Sequence, residues 1–418
     1  MIAIDFGTTN SSVALFTEGD IEPRIKKLSY GDAESVDPNV IPSAVSICRT
    51  HECTHRSVTI GHDAFRHYFN TDHDINFLQE MKLHFDRSTK EAPTLVSAGE
   101  VVTLREEGGF LSLHRRILTQ TVYEGDVPLQ PADFVPGTAK LISRLIELAD
   151  GAKHRTDVVL GVPASFREAG KKRLREAAKR GIIGESGDRY DGIRLYYEPV
   201  AAARAYRNLD AGNTLVLDYG GGTLDISVMG LREGGQFDPD KVTYDGFSEA
   251  GARMDQRLLA YCIDKAGKDV ADWFSKQGIL VRRRVRRSVE AAKIKLSKEE
   301  KATVDFAGAP VSSVAINRAD LTLALSPIMN RMIAKVSEVV IKAVGKLDNV
   351  NFVVLSGGSS LSSVVQESVL SIFRHIPEER FFLPDPCKPE DVETCLCAVA
   401  KGLAWLRRDG VPPIDFGD

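Results

Sequence analysis

The chain has 418 residues, 43% of them hydrophobic and 27% charged, enough apolar material to fill the cores of two or three domains. A formal charge of −4 leaves no basic footprint for nucleic acid or a membrane surface. Six cysteines are few for this length, the N-terminus shows no basic-then-apolar leader, and no apolar run reaches the ~18 residues of a membrane span, so a soluble cytoplasmic protein is expected.

The chain opens Ile2-Ala3-Ile4-Asp5-Phe6-Gly7-Thr8-Thr9-Asn10-Ser11-Ser12-Val13-Ala14-Leu15: apolar strand, Asp, aromatic, Gly, small hydroxyl residues, apolar strand. Further strands are expected over 40–47 and 57–60. Between them Cys48, His51, Cys53 and His55 fall within eight residues, too crowded for the usual paired zinc spacings, which favours an exposed hairpin tip over a metal site. Helical segments are expected over 63–70 and 77–85, then a hairpin pairing 100–104 with 110–114 across Gly108-Gly109. Leu141, Ile142, Leu145, Ile146 and Leu148 recur at helical spacing over 139–149. A short apolar strand, 157–162, is closed by Pro163 and followed by a charged helix over 166–180 and a strand over 193–197. Glu198-Pro199 then opens a helix with proline in its first turn, where a missing N–H costs nothing.

The second half begins with an apolar run, Thr214-Leu215-Val216-Leu217, leading into Asp218-Tyr219-Gly220-Gly221-Gly222-Thr223-Leu224-Asp225 and out through Ile226-Ser227-Val228-Met229. This is strand, tight glycine turn, strand. Glycines let the turn bring backbone N–H groups close to an anion. A carboxylate on each side would repel bare phosphate, so the pattern favours an anion that arrives with a divalent metal, such as a magnesium nucleotide. The opening segment repeats the same order of residues, and such self-similarity implies two homologous halves, each offering a phosphate-binding hairpin to a shared cleft.

Beyond it a strand near 241–244 precedes a helical zone over 252–296, broken near Gly278. Within that zone Arg282-Arg283-Arg284-Val285-Arg286-Arg287 reads as a solvated helix face. Two short strands, 302–306 and 311–316, lead to a long helix over 321–346. Phe352-Val353-Val354-Leu355-Ser356-Gly357-Gly358-Ser359 repeats the strand-to-glycine logic, now running into a helix; an amphipathic stretch over 391–407 and a loose tail over 409–418 follow.

Six motifs in order make the chain resemble the nucleotide-binding domain of the 70-kDa heat-shock chaperones, within the actin-like ATPase superfamily. They are Asp5-Phe6-Gly7-Thr8-Thr9-Asn10, Val162-Pro163-Ala164-Ser165-Phe166, Glu198-Pro199-Val200-Ala201-Ala202-Ala203, Asp218 to Asp225, Glu290-Ala291-Ala292-Lys293 with Ser297, and Gly357-Gly358-Ser359. The resemblance implies an α/β fold of two duplicated ribonuclease-H-like lobes around a nucleotide cleft, each with an inserted subdomain. On this chain that gives lobe I over 1–210 (core 1–38 and 128–210, insertion about 39–127), lobe II over 211–408 (core 211–247 and 318–408, insertion about 248–317) and a tail over 409–418. It implies ATP or ADP with Mg²⁺ as ligands, Asp5 and Asp218 near the metal, and Gly7, Thr8, Thr9, Asn10, Gly220, Gly221, Gly222 and Thr223 around the phosphates. Lys82, Glu198, Asp225 and Thr223 fall where the family keeps its catalytic groups. Gly251, Glu290, Lys293, Ile294, Ser297, Gly357, Gly358, Ser359 and Leu361 would line the nucleoside side.

The resemblance also implies a chaperone-like protein that hydrolyses ATP slowly and couples lobe closure to a partner protein or co-chaperone. Ile294 and Leu361 stand where the family commonly places two arginines against the adenine, which removes a cation-π contribution. Lys171 stands where an arginine accompanies Pro163, and a lysine makes no bidentate fork. The family's apolar linker and peptide-binding domain are not expected from the sequence after 408. Because fold does not fix function, a sugar or metabolite kinase and an actin-like filament former or non-catalytic nucleotide binder are the alternatives.

Overall fold

The structure, a computed structural model, describes residues 1–414 except 8, 18, 29–37, 44, 49–57, 61–62, 65–74, 79–84, 86–93, 96–99, 104–117, 122–127, 130–133, 151–156, 165, 184–191, 207–210, 233–235 and 248. The opening hairpin is Ile2–Asp5 (β1) against Asn10–Leu15 (β2), antiparallel with Asp5 opposite Ser12. Arg24–Ile25 (β3) and Val40–Pro42 (β4) both pair with β2. A small sheet follows, with Val45–Cys48 (β5) between Val58–Ile60 (β6) and Ile75–Leu78 (β7). Two strand pairs lie beyond it: Thr94–Leu95 (β8) with Pro128–Leu129 (β11), and Glu100–Thr103 (β9) with Leu118–Thr121 (β10). Helix Phe134–Asp150 (α1) then leads to Val158–Val162 (β12), helix Glu168–Ile183 (α2), Ile193–Tyr197 (β13) and helix Glu198–Ala205 (α3).

β12 and β13 run parallel to β1, giving the sheet order β13-β12-β1-β2-β3. Every residue of β12 is buried, as its unbroken apolar run requires of a parallel strand covered on both faces.

The second half repeats this arrangement. Gly212–Tyr219 (β14) and Leu224–Arg232 (β15) form the antiparallel hairpin, and Gln236–Phe247 (β16) adds outside β15. Helices Gly251–Ala266 (α4), Lys268–Ser275 (α5) and Ile279–Lys298 (α6) lead to the hairpin Lys301–Asp305 (β17) with Ser313–Asn317 (β18), whose alternating burial marks a sheet with one solvated face. Helix Arg318–Val344 (α7) returns the chain to Phe352–Ser356 (β19), helix Ser363–Ile372 (α8), Phe381–Phe382 (β20) and helix Pro389–Arg408 (α9). β19 and β20 run parallel to β14, so the order β16-β15-β14-β19-β20 matches the first sheet in sequence and direction. The fold is the two-lobed α/β architecture that the paired hairpins imply.

Strand alternation divides the interior into three cores. Ile2, Ile4, Val158 and Leu160 face the lobe I helices together with Leu141 and Leu145. Leu215, Leu217, Val353 and Leu355 face the lobe II helices together with Met254, Val289 and Leu325. The intervening residues Ala3, Val159, Val216 and Val354 point the other way, into a third core shared by both sheets and filled by α3 and α9 through Ala201, Ala202, Ala398 and Ala400. Alanines let the two helices approach closely: a Cβ on Gly402 would overlap the backbone of Ala201.

Several expected boundaries differ. Ile75–Leu78 is a strand paired with β5, where a helix over 77–85 was expected. β9 pairs with Leu118–Thr121, while the expected partner 110–114 lies outside the described residues, as do His51, Cys53 and His55. The helical zone breaks at Gly267 as well as Gly278, and the long helix starts at Arg318 because Asn317 and Asp320 form a reciprocal capping box. The arginine run is not wholly solvated: Arg283 is 3% exposed, and Arg282 lies over the Phe274 ring at 5.9 Å where α5 turns into α6. Nor is the tail loose over its described residues, 409–414. Tyr196 Oη donates to the Val411 carbonyl at 2.8 Å, the Ile414 N–H to the Leu195 carbonyl at 2.9 Å, and Arg204 pairs with Asp409.

Among the described residues no helix is long and apolar enough to cross a membrane. Trp405 is fully buried on α9 with its ring 5.9 Å from Phe16. Trp405→Ala should therefore cost about 3–5 kcal/mol in urea unfolding followed by circular dichroism. A loss below about 1 kcal/mol would contradict the anchoring of α9 on lobe I.

Candidate functional site

The duplicated hairpins carry their acids at equivalent strand ends. Asp218 lies opposite Asp225 in the β14–β15 ladder, as Asp5 lies opposite Ser12 in the β1–β2 ladder. The Gly220 N–H donates to the Thr223 carbonyl at 2.9 Å, which closes the turn, and Thr223 Oγ1 donates to Asp225 Oδ2 at 3.1 Å. The two turns meet. Thr9 of lobe I packs so closely on Gly221 of lobe II that a Cβ there would overlap its side chain, which is why this contact demands glycine.

Helix α4 is docked onto the same turn: the Gly251 N–H donates to the Gly220 carbonyl at 3.2 Å and the Ala252 N–H to the Gly221 carbonyl at 2.7 Å. These are N–H groups that a helix start leaves without intrahelical partners. Ser359 Oγ donates to the same Gly220 carbonyl at 2.8 Å. Gly220, Gly221, Gly251 and Ser359, separate in sequence, thus form one cluster.

The 357–359 loop packs on Asp218. Gly357 has φ +82°, and a Cβ on it would fall 2.6 Å from the Tyr219 carbonyl oxygen and 2.9 Å from Asp218 Oδ1. Ser356, fully buried, donates through Oγ to Asp218 Oδ1 at 2.8 Å. From behind, Cys395 on α9 accepts the Gly357 N–H at 3.0 Å and donates its thiol to the Gly357 carbonyl at 3.2 Å. Burial, with the Asp218 charge adding to it, pushes the Cys395 thiol well above its ordinary range, so it remains a donor.

Glu198 and Asp225 are buried carboxylates, 2% and 3% exposed. Glu198 sits in the first turn of α3, where the helix dipole favours a negative charge, and Gly161 of β12 packs on it, with a Cβ there only 2.8 Å from Glu198 Cγ. Lys171 lies nearby, its Nζ 2.9 Å from Glu168 Oε1 and 3.2 Å from Tyr197 Oη. The Tyr197 ring in turn lies 5.5 Å from that of Tyr244 on β16, a contact between the lobes.

On α6, Glu290, Lys293, Ile294 and Ser297 are all half-buried, as i, i+3, i+4 and i+7 positions on one helix face should be. Lys293 Nζ is 2.7 Å from Asp255 Oδ1 and reaches the Gly251 carbonyl at 3.5 Å, which ties this face to the glycine cluster. Leu361, half-buried, ends the short 3-10 turn Gly358–Leu361, joined to the cluster through Ser359. Thr8 and Lys82 lie outside the described residues. Among the described residues no three Asp, Glu, His or Cys side chains gather into an all-protein metal cage. The hard oxygen donors Asp5 and Asp218 suit magnesium, which keeps several waters and completes its shell with phosphate oxygens.

Sequence reading did not single out Ser356, Asp255 or Cys395. Ser356 was accessible in principle, because pairing the two strand-to-glycine motifs in register sets it beside Asp218. Asp255 follows Gly251 by one helical turn, but nothing in its local pattern announces Lys293 as partner. Cys395 comes from a helix far away in the chain and carries no local signal.

Burial raises the Asp255 carboxyl from 3.8 to about 6; Lys293 opposes that shift and Glu290 adds to it. The folded chain therefore keeps a proton that the unfolded chain releases between about pH 4 and 6. Asp255 favours the fold increasingly as pH falls through that window and loses this contribution as pH rises through about 6. The stability of the wild type relative to Asp255→Asn should accordingly grow when urea unfolding is moved from about pH 7 to about pH 4.5; a difference independent of pH would contradict the raised value.

A model of the Hsp70 protein family matches residues 1–385 of the 418. The match takes in both glycine hairpins, the Glu198 helix, the Glu290–Ser297 helix face and the Gly357 loop, and stops just short of α9. With duplicated sheets and this cluster of turns, the chain belongs to the Hsp70 protein family, a family of ATP-binding chaperones.

Proposed function

We propose that the chain binds Mg-ATP between its lobes, hydrolyses it slowly to ADP and phosphate, and transmits the change in lobe position to a partner protein or co-chaperone. The observation that carries this reading is the meeting of the two duplicated turns, Thr9 against Gly221, beside carboxylates contributed by both halves. In this reading lobe I covers 1–210 and lobe II 211–408, with insertions at about 39–127 and 248–317.

Gly7, Thr8, Thr9 and Asn10 from one side and Gly220 to Thr223 from the other present backbone N–H groups and hydroxyls to the phosphates. Asp5 and Asp218 would hold magnesium, which would supply charge neutralisation at the phosphates. Glu198 and Asp225 flank the attacking water. Thr223 fixes the Asp225 carboxylate through their hydrogen bond. Lys82 offsets charge on the γ-phosphate. Glu290, Lys293 and Ser297, with Gly251, Gly357, Gly358 and Ser359, line the nucleoside side, and Ile294 and Leu361 pack on the base.

That apolar packing lacks the cation-π contribution of a guanidinium, so binding is weaker than in a member with arginines there. The shared core of α3 and α9 serves as the hinge of a closure movement. The buried free thiols of Cys262, Cys395 and Cys397 suit a reducing cytoplasm.

Isothermal titration of folded wild-type protein with ATP and magnesium should show saturable heat, and its absence would sink the reading. Asp218→Asn removes preorganised charge at the metal side and should lower single-turnover ATP hydrolysis by roughly two orders of magnitude or more. An unchanged rate would mean that Asp218 is not at the reacting phosphates.

A further inference from the structure

Asp218, assigned above to the metal, needs its carboxylate held in place. A carboxylate at the end of a strand rotates about two side-chain bonds, and a metal site works only when such ligands are fixed from behind. Three features of this chain converge on Asp218 from one side. Ser356 is its neighbour across the parallel β14–β19 ladder, so both side chains leave the sheet on the same face. The Ser356 hydroxyl, 0% exposed, donates to Oδ1 at 2.8 Å. Gly357 lies so near that a Cβ on it would fall 2.9 Å from the same oxygen, and that loop is itself gripped by Cys395 through a backbone bond of 3.0 Å and a thiol bond of 3.2 Å.

We propose that Ser356 is a positioning residue for the metal: its hydroxyl fixes the plane of the Asp218 carboxylate and so tunes the affinity of the cleft for Mg²⁺. The inference rests on the assignment of Mg-ATP to this cleft. Ser356 lies beside Asp218 in the sheet and is fully buried, so it acts on the ion only through the carboxylate. Such hydrogen-bonding partners of a ligand typically govern metal affinity by 10–100-fold. The Ser356 backbone is held as well, because Ser360 Oγ donates to the Ser356 carbonyl at 2.6 Å and ties the strand end to the turn that follows.

The role separates from simple packing by its dependence on metal. Calorimetric titration of ATP at a series of fixed Mg²⁺ concentrations gives the Mg²⁺ midpoint for nucleotide binding, read without turnover. Ser356→Ala should raise that midpoint roughly tenfold or more, while ATP affinity at saturating Mg²⁺ stays within about twofold of wild type, because the metal, once present, reorders the carboxylate. Ser356→Cys, close in size and a weak donor, should recover part of the shift, and it carries the same test if the alanine variant does not fold. A thermal melt without nucleotide reports the packing contribution separately. A lowered melting temperature with an unshifted Mg²⁺ midpoint in a folded variant would overturn the positioning role and leave the Mg-ATP reading intact. Wild-type protein that takes up no Mg-ATP at all would overturn both.

Discussion

Everything at the cleft depends on the close crossing of α3 and α9 between the two sheets. Each sheet devotes one face to its own helices and the other to this shared core, through Ala3 and Val159 on one side and Val216 and Val354 on the other. Small side chains along both helices let the crossing be tight, and tight packing of small residues leaves little freedom to slide. The two glycine hairpins are strand extensions of these same sheets, so their meeting at Thr9 and Gly221 is set by how the shared core packs. α9 also reaches the cleft, since Cys395, buried in the same helix, holds the Gly357 loop. One helix therefore connects the interlobe core to the loop that backs Asp218, a physical route by which lobe position and the cleft can influence each other.

The polar interactions around the cleft solve a specific problem. Loops that approach a polyanion must expose N–H groups, yet loops without internal pairing are poorly fixed. Here carbonyls of the Gly220–Gly222 turn are used to anchor neighbours: Gly251, Ala252 and Ser359 all donate into it. The turn is thus braced through the Gly220 and Gly221 carbonyls, besides the Gly220 N–H bond to Thr223 that closes it. Lys293 extends the bracing to α6 by pairing with Asp255.

The hairpins, the internal duplication and the order of strands were legible because each rests on local pattern: apolar strand, Asp, glycine turn, apolar strand, read twice. Boundaries failed where tertiary pairing overrode local signals. Ile75–Leu78 became a strand because β5 offers it an edge, and the expected partner of β9 was displaced to Leu118–Thr121. Arg283 defied the expectation for a charged run: it is buried on α6, a helix that packs against α4 and β17. Over 409–414 the tail, expected as a loose end, is held by Tyr196 and the edge of β13, partners that no local reading supplies. At the site, the motif residues were named from type, spacing and family resemblance. The groups that hold them, Ser356, Asp255 and Cys395, were missed because their meaning lies in contacts across long stretches of chain. Lys171, read as a poor substitute for an arginine fork, gains a different environment from Tyr197 and, through it, Tyr244 of the other lobe.

Family membership supplies the ligand class, and the duplicated geometry is what the proposed two-sided clamp rests on. The most direct test is a crystal structure of the protein grown with a non-hydrolysable ATP analogue and magnesium. The triphosphate is expected to bridge the Gly7–Asn10 turn and the Gly220–Thr223 turn, with the metal on the Asp5 and Asp218 side and the base against Ile294 and Leu361. Nucleotide bound to one lobe alone, or a triphosphate away from these turns, would contradict the two-sided clamp.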